Sequence, residues 1–334
     1  MHSENLKALL HSRLDAGINR PLYVIGPPGI GKTQIAKQVA DESGIAFRAI
    51  HGPNAQVEDL SMPVISADRK SVKFIVDQLF PMVGGKHPER GIFLIDELPQ
   101  SSADVQKSLA NLIQEREIKG EHLLPGWMIV ATGNRAADRA GAGRVLSHLM
   151  NRMTVVELEG HLDSWCNWYI EQDDCKVECL QFIRFRPDLL LKFDPQVDVN
   201  PTPRAWTEGV FATVGLLPAD VEHETWKGDV GDGPAAEFKS FLNIFRALPN
   251  PDAVLMAPDT HPIPDQMNVR FALAGAIAQR ATQDNFDRVL TVAKRIGPEF
   301  AVMIVKDAMK RDNRVTKTRA FIKWAQTDGV KILS

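Results

Sequence analysis

The sequence predicts an α/β protein: a five-stranded parallel sheet sandwiched by helices, followed by an α-helical lid and a helical C-terminal extension. Three observations point there. Over the first ~160 residues, short apolar runs alternate with stretches of helical periodicity, the pattern of βα units. The run Gly91-Ile92-Phe93-Leu94-Ile95 is apolar throughout, as expected of a central strand covered on both faces. Beyond Gly160 the strand signal fades and helical spacing takes over.

Taken in order, Leu6, Leu9, Leu10 and Leu14 recur at helical spacing and predict a leading helix. Leu22-Tyr23-Val24-Ile25 reads as a buried strand entering a glycine-rich turn. Residues 31–43 follow as a helix with Ile35, Ala36, Val39 and Ala40 on its inner face, and Ile45 to Ile50 make a second strand. From Glu58 to Val83 the pattern loosens, and the alternation in Ser71-Val72-Lys73-Phe74-Ile75 suits a hairpin arm. After the strand at 91–95 come a helix over about 102–114, a turn at Glu117-Ile118-Lys119-Gly120, and strands at Trp127–Ala131 and Met153–Leu158. The stretch Lys227 to Pro234 is expected to be a linker, and Pro249 to Pro264, with five prolines, a loop. Residues 265–281, 284–296, 298–311 and 315–326 read as four successive helices. The expected division is therefore an α/β domain over 1–160, a helical lid over 161–226 and a helical extension over 227–334.

At 334 residues the chain is long enough for roughly two domains of ~150 residues. Its formal charge of −3 is unlike the strongly basic balance of a nonspecific nucleic-acid binder. Three cysteines, all between 166 and 179, do not form a disulfide framework, so a reducing cytoplasm is the expected compartment. The opening Met1-His2-Ser3-Glu4-Asn5 does not read as a signal peptide. No run approaches the ~20 consecutive apolar residues of a membrane helix.

Gly26-Pro27-Pro28-Gly29-Ile30-Gly31-Lys32-Thr33 fits G-x-x-x-x-G-K-[ST], placed after a strand and opening a helix. Glycines let the backbone curl so that amide N–H groups point at phosphate, and the helix N-terminus adds its positive end. Lys32 is expected to reach the β- and γ-phosphates of ATP, Thr33 to ligate magnesium, and Gln34 to complete the cofactor-binding segment. Asp96 and Glu97 follow the apolar strand at the carboxyl edge, where such sheets bind ligands. Asp96 is expected to hold magnesium and Glu97 to polarise an attacking water. An acidic pair after a strand is often only a helix cap. Beside the glycine-rich loop the two motifs make one site.

Ala131-Thr132-Gly133-Asn134 ends the next strand with an amide placed to orient water or sense the γ-phosphate. Asn151-Arg152 precedes the strand at 153–158, and Pro203-Arg204-Ala205-Trp206 opens a later helix. This order resembles AAA+ ATPases. Glu58-Asp59-Leu60, a hairpin-like insertion ending Phe80-Pro81, Glu115-Arg116-Glu117, a second hairpin ending Leu124-Pro125-Gly126-Trp127, and Asn151-Arg152-Met153 look most like the MoxR type. The resemblance covers residues ~20–215. It implies that Arg152 acts in trans on a neighbouring chain's ATP, with Arg144 the competing finger and Arg135 and Arg139 behind it. It also implies that Arg204 contacts the phosphates in cis, and that the chain forms a homo-oligomeric ring, by family expectation a hexamer. The function implied is magnesium-dependent ATP hydrolysis coupled to remodelling a partner complex, in some members alongside a von Willebrand factor A-type protein. A nucleic-acid motor or loader, and a nucleotide-gated switch with little turnover, are the alternatives.

Three further features are read as structural. His161, Cys166, Cys175 and Cys179 lack the paired short spacers of structural zinc sites, and buried free cysteines are expected instead. Trp165 and Trp168, with Leu162 and Cys166, make a helical stripe of core type. The five basic residues from Lys306 to Lys317 are read as a solvated face rather than a nucleic-acid contact.

Overall fold

Strand alternation sorts the apolar residues of the first half into two cores, one on each face of a single sheet. The computed structural model describes residues 1–135, 143–248 and 250–329. The chain divides into two compact units, Met1–His161 with Phe193–Asp198, and Leu162–Lys192 with Val199–Ser334.

In the first unit, β1 (Leu22–Ile25), β2 (Ala46–His51), β5 (Arg90–Asp96), β8 (Gly126–Gly133) and β9 (Thr154–Glu157) form a parallel sheet in the order β2-β5-β8-β1-β9. Successive side chains of a strand point to opposite faces. Leu22, Val24, Ile92, Leu94, Met128 and Val130 therefore meet α1 (Ser3–Asp15) and α2 (Lys32–Glu42) through Leu6, Leu10, Ile35 and Val39. Tyr23, Phe93, Ile95, Ile129 and Ala131 face the other way, onto Val105, Leu109 and Leu112 of α3 (Ala103–Glu115). Ser102 caps α3 by accepting the Val105 N–H. The short helix α4 (Ser147–Met150) precedes β9.

Both anticipated hairpins form. β3 (Ser61–Ile65) pairs antiparallel with β4 (Val72–Val76), Met62 opposite Ile75, and β6 (Glu117–Ile118) pairs with β7 (Glu121–His122). Backbone bonds from Val83 to His122 and from Leu124 to Pro81 tie their bases together. The Lys119 ammonium lies 4.6 Å from the Phe74 ring centroid. Met62, Ile65, Val72 and Ile75 of the first hairpin are all more than half exposed.

The second unit is helical: α5 (Leu162–Ile170), α6 (Val177–Phe185), a π-helical turn at Ala205–Phe211, α7 (Ala219–Val230), α8 (Asp232–Arg246), α9 (Pro251–Met256), α10 (Met267–Gln279), α11 (Phe286–Ile296), α12 (Pro298–Arg311) and α13 (Arg319–Trp324). Phe182, Trp206, Phe211 and Phe238 pack ring against ring in one core, and residues from Val254 to Trp324 build another. Arg184 of α6 and Asp307 of α12 form a largely buried bidentate ion pair. At Gly275 of α10 a Cβ would fall 2.2 Å from Gln181 Cγ, so only glycine allows that approach.

Three expectations are corrected. The expected linker at 227–234 is helix on both sides of one residue, Gly231, whose φ of +87° breaks the run. Its Gly/Asp-rich composition hid the inward stripe of Trp226, Val230, Ala235 and Phe238, whose burial holds both helices. The proline-rich loop contains α9, because Pro251 sits in the first turn, where its missing N–H costs nothing, and Asn250 caps Asp252 N–H at 2.9 Å. The last of the four C-terminal helices is a 3-10 turn at Asn313–Lys317 followed by α13, which Thr318 caps.

Candidate nucleotide site

Parallel strands bring β1, β5 and β8 to one carboxyl edge, and the two sequence motifs meet there. Gly26 N–H donates to Gly133 O at 3.2 Å, tying the loop after β1 to the end of β8. A Cβ on Gly26 would lie 2.6 Å from Leu158 O, so a larger residue would push the loop off β9. Gly29 and Gly31 take φ of +70° and +94°, left-handed conformations that turn the chain into α2. No side chain caps α2 and no acid occupies its first turn. Its leading N–H groups and positive end are thus an anion site. Pro27 is buried, Pro28 and Ile30 are half-buried, and Gln34 is exposed.

The Lys32 ammonium is buried within this loop and donates to Gly26 O at 2.9 Å, Pro27 O at 2.8 Å and Asn134 Oδ1 at 3.0 Å. Thr33 Oγ1 donates to Asp96 Oδ1 at 2.8 Å. A hydroxyl and a carboxylate at this spacing are hard oxygen donors of the kind magnesium takes. Gly26, Pro27, Lys32, Thr33, Asp96 and Asn134 therefore lie together, brought there from three strand ends.

Glu97 stands in the left-handed region, φ +53°, which costs a non-glycine residue on the order of 1 kcal/mol. Its neighbours include two residues the sequence reading missed. Thr132 is fully buried; its Oγ1 donates to Asp96 Oδ1 and accepts from Glu97 N–H at 3.0 Å. His51, the last residue of β2, is in register with Asp96, and its Nε2 lies 3.9 Å from Glu97 Oε2. Gly52 follows. A Cβ there would stand 2.3 Å from Ser101 Oγ and 2.9 Å from the Asp96 and Glu97 carbonyl oxygens. Polar residues ending strands beside the acidic strand were the available signal.

The arginines lie elsewhere. Thr154 of β9 is in register with Leu22, the first residue of β1, so Arg152 stands at the amino edge of the sheet. Four residues of strand, roughly 13 Å, separate that edge from the glycine-rich loop of the same chain. Arg152 Nη1 donates to His148 O at 2.6 Å in the last turn of α4. Arg144 is exposed, and Arg135 pairs with Glu157 at 3.6 Å. Arg139 lies outside the described residues. Arg204, in the second unit, is exposed at the start of the π-helical turn.

Cys166 and Cys179 are buried and Cys175 half-buried, all three free thiols in the helical unit. Among the described residues, no helix is long and apolar enough to cross a membrane.

A parallel sheet with a glycine-rich phosphate loop, an adjacent strand-end acid and a buried lysine defines a nucleoside-triphosphate-binding fold. Residues 22–158 match the AAA family, the ATPase family associated with various cellular activities, and this part of the chain is similar to that family's domain. Over 49 residues the chain is 53% identical to peroxisomal Lon protease homolog 2 of Kluyveromyces lactis, covering 14% of this chain and 5% of that protein. Over 134 residues it is 25% identical to the ATP-dependent zinc metalloprotease FtsH of Lachnoclostridium phytofermentans, covering 37% of this chain and 21% of that protein. The chain thus spans under a quarter of the length of these relatives. Among solved structures, a RuvB variant of Thermotoga maritima overlaps 82% of this chain and 81% of its own, at 16% identity and a TM-score of 0.39.

Proposed function

We propose that this chain is the ATP-hydrolysing subunit of a cytoplasmic homo-oligomeric AAA+ ring of the MoxR type, six chains by family expectation. In this reading magnesium-dependent hydrolysis drives remodelling or maturation of a partner protein complex, with a von Willebrand factor A-type protein as the partner class. The supporting observation is the 2.8 Å contact between Thr33 Oγ1 and Asp96 Oδ1, which joins two motifs 63 residues apart into one oxygen-donor pair. Bound magnesium supplies charge neutralisation on the phosphate oxygens. Lys32 and the α2 N-terminus hold and orient those phosphates. Glu97 takes the proton of the attacking water and Asn134 orients that water. Arg152 of one chain stabilises developing charge at its neighbour's site. Its place at the edge away from its own loop suits a residue acting in trans. Arg204 senses the phosphates in cis, and motion of the helical region beyond residue 160 carries the cycle to the partner. The exposed apolar hairpin β3–β4 is the surface offered to that partner.

Steady-state ATPase activity with magnesium tests this, comparing wild type with Glu97→Gln and Arg152→Ala while light scattering follows assembly. Turnover that both variants lose while still binding ATP is the expected result. Turnover indifferent to both changes overturns the assignment.

One observation favours a second reading, a nucleic-acid motor. The basic residues between Lys306 and Lys323 are all exposed. Binding to duplex DNA that weakens steeply with salt would favour it.

A further inference from the structure

The amino edge of the sheet, opposite the nucleotide site, carries a cavity of about 330 Å³ between the end of α1 and the first residues of β5 and β8. Arg13, Asp15 and Arg90 line it together with Leu14, Ile18 and Met128.

Its electrostatics are unbalanced. Arg13 is only 6% exposed, yet it forms no ion pair among the described residues. Its Nη2 donates to Arg20 O at 2.9 Å and to Thr154 Oγ1 at 3.4 Å, while its Nε–H is buried with no acceptor among the described residues. Burial, and then the nearby Arg20 guanidinium, lower the Arg13 pKa from its ordinary value. Arg90 is exposed and engages one nitrogen, Nη2, on Leu14 O at 3.3 Å. The rest of its guanidinium makes no hydrogen bond among the described residues. The carbonyls at the end of α1 offset part of this charge. Asp15 is the one carboxylate in the lining, against two guanidiniums. A buried cation without a counter-ion is costly, and an oxyanion that accepts from both arginines relieves it. The planar guanidinium fork fits a carboxylate or a phosphate equally.

We propose that this cavity is a binding site for a small organic oxyanion, a carboxylate or phosphate on a compact apolar body. Arg13 and Arg90 hold the charged end, and the apolar part lies against Leu14, Ile18 and Met128. The volume is at the lower end of the range for small-molecule sites, which suits a ligand of one ring or a short branched chain. The site is separate from the glycine-rich loop and does not depend on how that loop is used.

Calorimetric titration with benzoate and with phenyl phosphate tests the proposal. It is run in a Lys32→Ala background, so that anion binding at the nucleotide site is weakened, and repeated with Arg90→Gln added. Arg90 is exposed, so its replacement leaves the fold intact. Either probe is expected to bind once per chain, and Arg90→Gln should weaken it about tenfold, the loss of a charge-assisted hydrogen bond. The tighter probe identifies the oxyanion. Ile18→Ser should weaken both organic probes and leave inorganic phosphate unchanged. Failure of both organic probes to bind, or binding that Arg90→Gln leaves unaltered, overturns the proposal.

Discussion

Lys32 Nζ and Asn134 Oδ1 stand 3.0 Å apart, so the loop after β1 and the end of β8 share one ammonium group. That ammonium also holds Gly26 O and Pro27 O, so it organises the loop around itself. Asn134→Ala removes one contact and leaves the loop. ATP affinity should change little while turnover falls about 10²-fold, the usual loss of one orienting group. Lys32→Ala should abolish nucleotide binding. Nucleotide fluorescence titration and steady-state turnover, measured on both variants, separate the two roles.

Gly52 tests the geometry of the Glu97 turn. A methyl group there must displace either Ser101 or the Asp96 and Glu97 carbonyls. Gly52→Ala is expected to cut kcat by about tenfold or more, because small misplacements of catalytic groups are costly. ATP affinity should stay within about twofold. His51→Ala should lower kcat and spare KM, and His51→Asn should restore part of it by keeping a donor near Glu97. Equal kcat in all three would remove β2 from the catalytic account.

Arg152 can be assigned by mixing. Arg152→Ala and Glu97→Gln should each be inactive, with losses of about 10³-fold for the arginine. Mixed rings would pair an intact Glu97 with a neighbour's intact Arg152, and activity should partly return. No recovery, with Arg144→Ala complementing instead, would move the finger to Arg144.

The thiols offer a check on the helical unit. Burial pushes Cys166 up to about 11 and Cys175 up to about 12, and holds Cys179 well above its ordinary value. At pH 8 each is almost entirely protonated, below its own pKa, and the thiol form is a poor nucleophile. Iodoacetamide should therefore label the folded protein slowly and the urea-unfolded chain fast. Rapid labelling of folded protein would contradict the burial of this region.

Phe238 sits where the rings of Phe182, Trp206, Phe211 and Trp226 converge. Phe238→Ala should destabilise the helical unit by about 3–5 kcal/mol. Urea unfolding followed by circular dichroism measures this directly.

The sheet was legible because its signals are local. Ile92 to Ile95 announce a strand buried on both faces, and Gly26 to Thr33 announce the turn that follows another. Asp96 and Glu97 could be paired with that loop by strand order alone. His51 and Thr132 could not. A polar residue at a strand end marks each as a candidate, but its approach to the acidic pair depends on register between strands distant in sequence, which that local signal does not carry. The sequence hides the two helices around Gly231 for a related reason. Glycine and aspartate there look like a linker, while Trp226, Val230 and Phe238, spaced across the break, bury two helices.

α10 has a consequence for how the second unit comes apart. Ala272 belongs to the aromatic core, and Leu273, Ala274, Ile277 and Ala278, on the same two turns, belong to the core that ends at Trp324. Neither core can lose this helix without exposing the other's apolar surface. Scanning calorimetry of the helical half should therefore give one endotherm with equal calorimetric and van't Hoff enthalpies, where two separable domains would give two.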